Sequence, residues 1–129
     1  MNSESPGRKV LLVDDEKMVL DVGKAILQRL GHDVYTAMSG QEGLDLLKAH
    51  QADIGCVVLD LTMPGMDGKE TFKRMLEMVP DVRVIIASGL SADQIMGQFT
   101  ESAPSAVIQK PYQIADLSDT IQSIMGRQS

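Results

Sequence analysis

Three acids, one serine and one lysine in this 129-residue chain stand where short apolar runs end. Asp14 and Asp15 close Val10–Val13 (VLLV). Asp60 closes the run that begins at Ile54, and a loop built on proline and glycines (TMPGMDG) follows it. Ser88 closes VRVIIA, and Lys110 closes AVIQ. If those runs are neighbouring strands with a common direction, the five residues share one rim. Acids crowded on a rim repel: two unit charges about 4 Å apart cost about 4 kcal/mol at an effective dielectric near 20. Such a group either takes up protons or holds a cation. Oxygen ligands on a small rigid rim suit Mg2+, or Mn2+, which binds one or two carboxylates and keeps several waters. Lys110 adds the compact positive charge that a phosphoryl group also attracts.

The elements that must position these residues are legible from local pattern. Val10–Val13 is a continuous apolar run of the kind that suits a strand covered on both faces. Val19, Val22, Ile26 and Leu30, spaced by three and four, predict an amphipathic first helix that Gly31 stops. Asp33–Ala37 has strand composition. Ser39, with Glu42 three residues on, reads as a capping box opening a helix that buries Leu44 and Leu47. The third strand is predicted over Ile54–Leu59. Phe72, Met75, Leu76 and Val79 mark a third helix closed by Pro80. A fourth strand spans Val82–Ala87; Ser91 and Gln94 cap a fourth helix carrying Ile95 and Phe99. Ala106–Gln109 is a short fifth strand, and Ile114, Leu117, Ile121 and Ile124 form the last helix. Strand and helix alternate five times. Parallel strands need crossovers, so the pattern predicts an α/β, doubly wound open sheet. In such sheets ligands sit outside the carboxyl ends of the strands.

Composition narrows the classes. The chain has the size of one ordinary domain, and 43% apolar with 23% charged residues is ordinary for a globular protein. A net charge of −6 is the wrong sign for a nucleic-acid footprint. The single cysteine, Cys56, excludes a disulfide within the chain and fits a reducing compartment. No apolar run approaches the roughly 18 residues of a membrane span, and the polar start lacks an apolar signal core. Residues 1–7 read as a disordered lead-in, 8–126 as the domain and 127–129 as a tail.

The blocks VDDE, LDLTMPGMDG, IIASG and QKPY, at four strand ends in order, resemble the signature blocks of bacterial response-regulator receiver domains. The likeness covers roughly Lys9 to Met125. It implies a flavodoxin-like (βα)5 fold with a five-stranded parallel sheet in the order 2-1-3-4-5. It also implies a phosphoacceptor in a two-component phosphorelay rather than a true enzyme, with weak self-phosphorylation and self-dephosphorylation. Asp60 matches the phosphoacceptor. Asp15 and Asp60, with the backbone carbonyl of Thr62, would bind Mg2+, and Asp14 would assist through water. Lys110 and Ser88 would contact the phosphoryl group. The implied partners are a sensor histidine kinase or phosphotransfer domain and an unknown downstream protein, with no direct nucleic acid and no membrane. A phosphorylation-dependent homodimer through the fourth helix, fifth strand and fifth helix is a further expectation, as is a cytoplasmic location. VIQKPY before a plain helix also resembles receivers at the ends of hybrid histidine kinases, so a longer parent chain could itself be a kinase.

Two features qualify this likeness. Val107, three residues before Lys110, stands where many family members carry an aromatic switch residue. Thr62 and Leu90, each two residues beyond a site residue, would flank the path of an attacking water and offer no acid or amide to orient it. Slow loss of phosphate is therefore expected.

Taken singly, the residues have plainer readings. Asp14-Asp15-Glu16 reads as a solvated helix start favoured by the dipole, and Lys110 as a surface lysine. Pro64, Gly65 and Gly68 read as turn formers that also hold the loop over Asp60, and Asp67 as a helix cap. Cys56, His32 and His50 read as structural or solvated. Among rival functions, an aspartate-nucleophile phosphatase wants a second aspartate where Thr62 stands. GMDGKE lacks the spacing of a phosphate-binding loop, and Glu70 replaces its Ser/Thr. A flavin site wants a Gly/Ser/Thr-rich loop where acids follow the first strand. A receiver-like scaffold that is never phosphorylated is opposed by the intact set of five.

Overall fold

The computed structural model describes residues 9–61, 68–97, 99, 103–110 and 112–125. Strands and helices alternate: β1 (Lys9–Val13), α1 (Lys17–Arg29), β2 (Val34–Ala37), α2 (Gly40–Ala49), β3 (Ile54–Asp60), α3 (Gly68–Met78), β4 (Val84–Ser88), α4 (Ala92–Met96), β5 (Ala106–Gln109) and α5 (Ile114–Met125). The strands form one sheet in the order β2-β1-β3-β4-β5, and every neighbouring pair is parallel. This is the doubly wound order expected from the resemblance.

Alternation along each strand builds two cores. Leu11, Val13, Val57, Leu59, Val84 and Ile86 join one cluster, together with Leu44, Leu47, Phe72, Met75 and Ile95 of α2, α3 and α4. Val10, Leu12, Cys56, Val58, Ile85 and Ala87 point the other way and join Leu20, Leu27, Leu117 and Ile121 of α1 and α5. A strand that feeds two cores has no polar face, hence the unbroken apolar runs. Gly31 ends α1 with φ of +100°, a left-handed conformation that favours glycine there.

The structure corrects the predicted face of α1. Leu20, Gly23 and Leu27 are buried, whereas Val19, Val22 and Leu30 are exposed and Ile26 is half-buried. Both rows have three-and-four spacing and differ by one residue, so periodicity alone does not choose between them. Packing chooses. A Cβ on Gly23 would stand 3.3 Å from Leu12 Cδ1, so the helix lies closely against the sheet along that row. The third strand also runs one residue further than predicted and includes Asp60, paired with Ala87. The fourth starts two residues later and includes Ser88.

The caps differ in kind. At α4 the Ser91 side chain accepts from Gln94 N–H and the Gln94 side chain accepts from Ser91 N–H, a full capping box. At α2 Ser39 Oγ accepts from Glu42 N–H at 3.0 Å. The Glu42 carboxylate reaches one residue further back, to Met38 N–H at 2.7 Å. Phe99 falls beyond α4 and packs edge-on against Phe72, ring centroids 5.2 Å apart. His32 Nε2 lies 3.0 Å from Ser118 Oγ and links the turn before β2 to α5. His50 stacks on Tyr35 with centroids 4.5 Å apart. Both histidines therefore have structural surroundings.

Candidate functional site

Parallel strands deliver their last residues to one edge of the sheet, and the registers set the details. Asp14 follows β1, and its N–H donates to Ala37 O at 3.1 Å, so the ladder still holds its backbone there. Its Oδ1 accepts from Glu16 N–H at 2.9 Å. This Asx-type turn fixes the carboxylate and starts α1. Asp60 ends β3 beside Ala87, one residue before Ser88. Ser88 pairs in register with Gln109, and Lys110 N–H donates to Ser88 O at 2.7 Å. Backbone bonds thus tie the start of Lys110 to the end of β4.

From that anchor the Lys110 ammonium reaches across the rim. Its Nζ is 3.2 Å from Asp60 Oδ2 and 3.4 Å from Asp14 Oδ2. Burial favours the neutral amine, but the carboxylates of Asp60 and Asp14 outweigh it and raise the Lys110 pKa above its ordinary value. The side chain stays charged throughout the physiological range. Asp14 and Asp60 are buried, at 6% and 7% exposure, which excludes the solvated reading of Asp14. Asp15 is half-buried, and one oxygen of each of Asp14, Asp15 and Asp60 lies within 4.8 Å of the other two. Among the described residues, this cluster of three carboxylates meets one ammonium, which leaves an excess of negative charge. Octahedral Mg2+ with bonds of about 2.0–2.1 Å spans about 4 Å between opposite ligands. The acid cluster is of that size, so these residues fit such an ion.

Ser88 is 5% exposed, and its Oγ accepts from Leu90 N–H at 3.1 Å. The hydroxyl proton remains available for donation. Leu90 is exposed at 36%. Val107 is half-buried against the cluster that contains Ile95 and Phe72. The site thus gathers Asp14, Asp15, Asp60, Lys110 and Ser88 from four strand ends. Thr62 and its carbonyl, and Pro64, Gly65 and Asp67, lie outside the described residues.

Two further neighbours complete the rim, and the sequence reading gave the first of them, Tyr112, no role. Tyr112 lines a narrow crevice with Asp14 and Asp60. Burial raises its pKa; Lys110 acts to lower it, and the two carboxylates add to the rise. Its place two residues beyond Lys110 was the available signal. Gly68 is the other. Its N–H donates to Leu61 O at 2.7 Å, joining the first residue of α3 to the residue after Asp60.

The family model for the response regulator receiver domain matches residues 10–122. Among curated proteins, the sensor kinase CckA of Brucella abortus is 31% identical over 119 residues, 92% of this chain but only 13% of that protein. The chain therefore spans a small part of that relative's length. Among solved structures, a response regulator receiver domain protein from Clostridium thermocellum is 28% identical with a TM-score of 0.84, covering 92% of this chain and 94% of that one. A chain of the CheX–CheY–BeF3–Mg2+ complex of Borrelia burgdorferi is similar at 29% identity and a TM-score of 0.84, covering 92% of this chain and 90% of that one. The phosphatase, nucleotide-binding and flavin readings find no support in these matches.

Proposed function

This chain belongs to the response regulator receiver domain family of two-component signalling, and on that premise we propose that it accepts a phosphoryl group on Asp60 from a kinase or phosphotransfer phosphohistidine. The observation that carries the reading is the Lys110 ammonium held 3.2 Å from Asp60 and 3.4 Å from Asp14, in a cluster with Asp15.

In the transfer, an Asp60 carboxylate oxygen attacks phosphorus. The O–P bond forms as the P–N bond breaks, and the electron pair leaves with the imidazole, giving an aspartyl acyl phosphate. Mg2+, bound by Asp15, Asp60 and the Thr62 carbonyl with Asp14 acting through water, would neutralise charge on the phosphoryl oxygens. Lys110 stabilises the same oxygens as a preorganised positive group. Ser88 donates its hydroxyl proton to a phosphoryl oxygen of the product. Phosphorylation adds nearly two negative charges at the rim. The loop after β4 then repacks around Ser88 and changes the surface offered to a partner. With Val107 in place of an aromatic residue, no aromatic rotation carries that coupling, and output runs through another surface or a phosphate relay. The similarity to a sensor kinase makes a kinase or phosphotransfer domain the partner of choice.

The test is incubation with Mg2+ and acetyl phosphate, followed by intact-mass measurement. A gain of one phosphoryl group in the wild type that is absent in Asp60→Asn is expected. An equal gain in Asp60→Asn would defeat the assignment.

A further inference from the structure

We propose that Gly68 is a positioning residue that sets the place of Asp60 by its contact with the following peptide; the idea rests on the reading of Asp60 as phosphoacceptor and Mg2+ ligand. Leu61 is held on both sides. Its N–H donates to Ala87 O at 3.0 Å, and its carbonyl accepts from Gly68 N–H at 2.7 Å. The first residue of α3 is thereby fastened directly onto the end of β3. The contact leaves no room for a side chain. A Cβ on Gly68 would lie 2.5 Å from Leu61 Cα, 2.5 Å from Leu61 O and 2.8 Å from Leu61 C. Real Cβ atoms essentially never come within 3.0 Å of such atoms, so a substitution must move one side by about half an ångström or more.

What would move decides the consequence. The obstructing atoms are backbone, one residue from Asp60, and they cannot swing aside as a side-chain tip does. α3 in turn is seated by Phe72 and Met75, which are buried in the core, and by Thr71, which is fully buried. Strain at Gly68 is therefore shared with the Leu61 peptide and passes to Asp60. Mg2+ tolerates little change in ligand geometry, and sites of this kind need their groups within about 0.5 Å of the productive arrangement. Other glycines among the described residues differ: Gly43 and Gly23 would meet side-chain atoms, at 3.0 Å and 3.3 Å, Gly89 has nothing within 4 Å, and Gly97 only ordinary contacts.

The test compares Mg2+ affinity, by calorimetry or amide-shift titration, in wild type, Gly68→Ala, Gly97→Ala and Phe72→Leu. Phe72→Leu loosens the same helix without placing a new atom against the Leu61 backbone. Gly68→Ala is expected to weaken Mg2+ binding about tenfold, with Gly97→Ala and Phe72→Leu within twofold of wild type. Unchanged affinity in Gly68→Ala, or an equal loss in Phe72→Leu, overturns the proposal and leaves Gly68 a packing residue. Should Gly68→Ala fail to fold, wild-type titration still decides. The Gly68 amide resonance is expected to shift with the same midpoint as that of Asp60, and its failure to respond overturns the proposal. No Mg2+ binding by the wild type would instead strike at the function proposed above.

Discussion

At the scale of single residues, the site is an electrostatic compromise that one ammonium leaves incomplete. Asp14, Asp15 and Asp60 converge, and Lys110 offsets part of their repulsion. Neutralising the half-buried member should therefore stabilise the metal-free fold. Asp15→Asn is expected to raise stability in EDTA by about 1–3 kcal/mol and to lose the increase in melting temperature that Mg2+ confers on the wild type. Thermal melts with and without Mg2+ check both, and a lower melting temperature for Asp15→Asn in EDTA would contradict the argument. Removing Lys110 is a different change. Lys110→Met leaves the acids without their cation, and phosphorylation by acetyl phosphate should fall by about 100-fold or more. The rate can be followed by intact mass over time. Leu90, exposed beyond Ser88, offers no group to orient water. Leu90→Glu should shorten the phosphoryl lifetime severalfold, and an unchanged decay would remove Leu90 from the water path. These five rim residues were legible because each ends a local apolar run. That Asp14 is buried and Asp15 only half so was not, since it depends on the Asx turn to Glu16 and on Lys110 arriving from β5.

Elements carry the same lesson in their packing. The stripe Val19, Val22, Ile26, Leu30 and the stripe Leu20, Gly23, Leu27 have equal helical periodicity, yet the sheet takes the second. Leu27 is fully buried and Val22 is 51% exposed. Leu27→Ala should cost about 2–5 kcal/mol, and Val22→Ala no more than about 0.5 kcal/mol. Urea unfolding of the two variants checks the assignment, and comparable losses would return α1 to the face expected from sequence. The capping box at α4 was legible because Ser91 and Gln94 interact within one turn. Ser91→Ala should remove about 1 kcal/mol from a helix of five residues, readable as faster amide exchange in α4.

Over the whole molecule, one cysteine reports on global opening. Cys56 lies in β3, the middle strand of the sheet, with 0% exposure. Burial, only partly opposed by the positive charge of Arg83, pushes its thiol up from 9.0 to about 12. The folded state therefore keeps its proton where the unfolded chain has begun to lose it. Stability contributed by this group is complete below pH 9 and is lost as pH rises toward 12. The expected loss is on the order of 1 kcal/mol per pH unit above 9. Lys110, whose pKa is also raised, loses its contribution in the same direction at high pH. The Cys56 part is isolated by comparison with Cys56→Ala: urea midpoints at pH 8 and pH 10.5 should fall less in the variant. Equal falls would show that the thiol does not take part. At neutral pH a thiol reagent should label Cys56 only through cooperative unfolding.

The order of strands and helices, the two-faced burial of the sheet and the five rim residues follow from the chain alone, because each is written in local runs, periods and punctuation. The row α1 turns inward, the sharing of Lys110 between Asp14 and Asp60, the place of Tyr112 and the contact of Gly68 with Leu61 were decided in three dimensions. Each depends on distances between atoms that separate strands and helices bring together. Local pattern says which residues can meet at the rim; only packing says how closely.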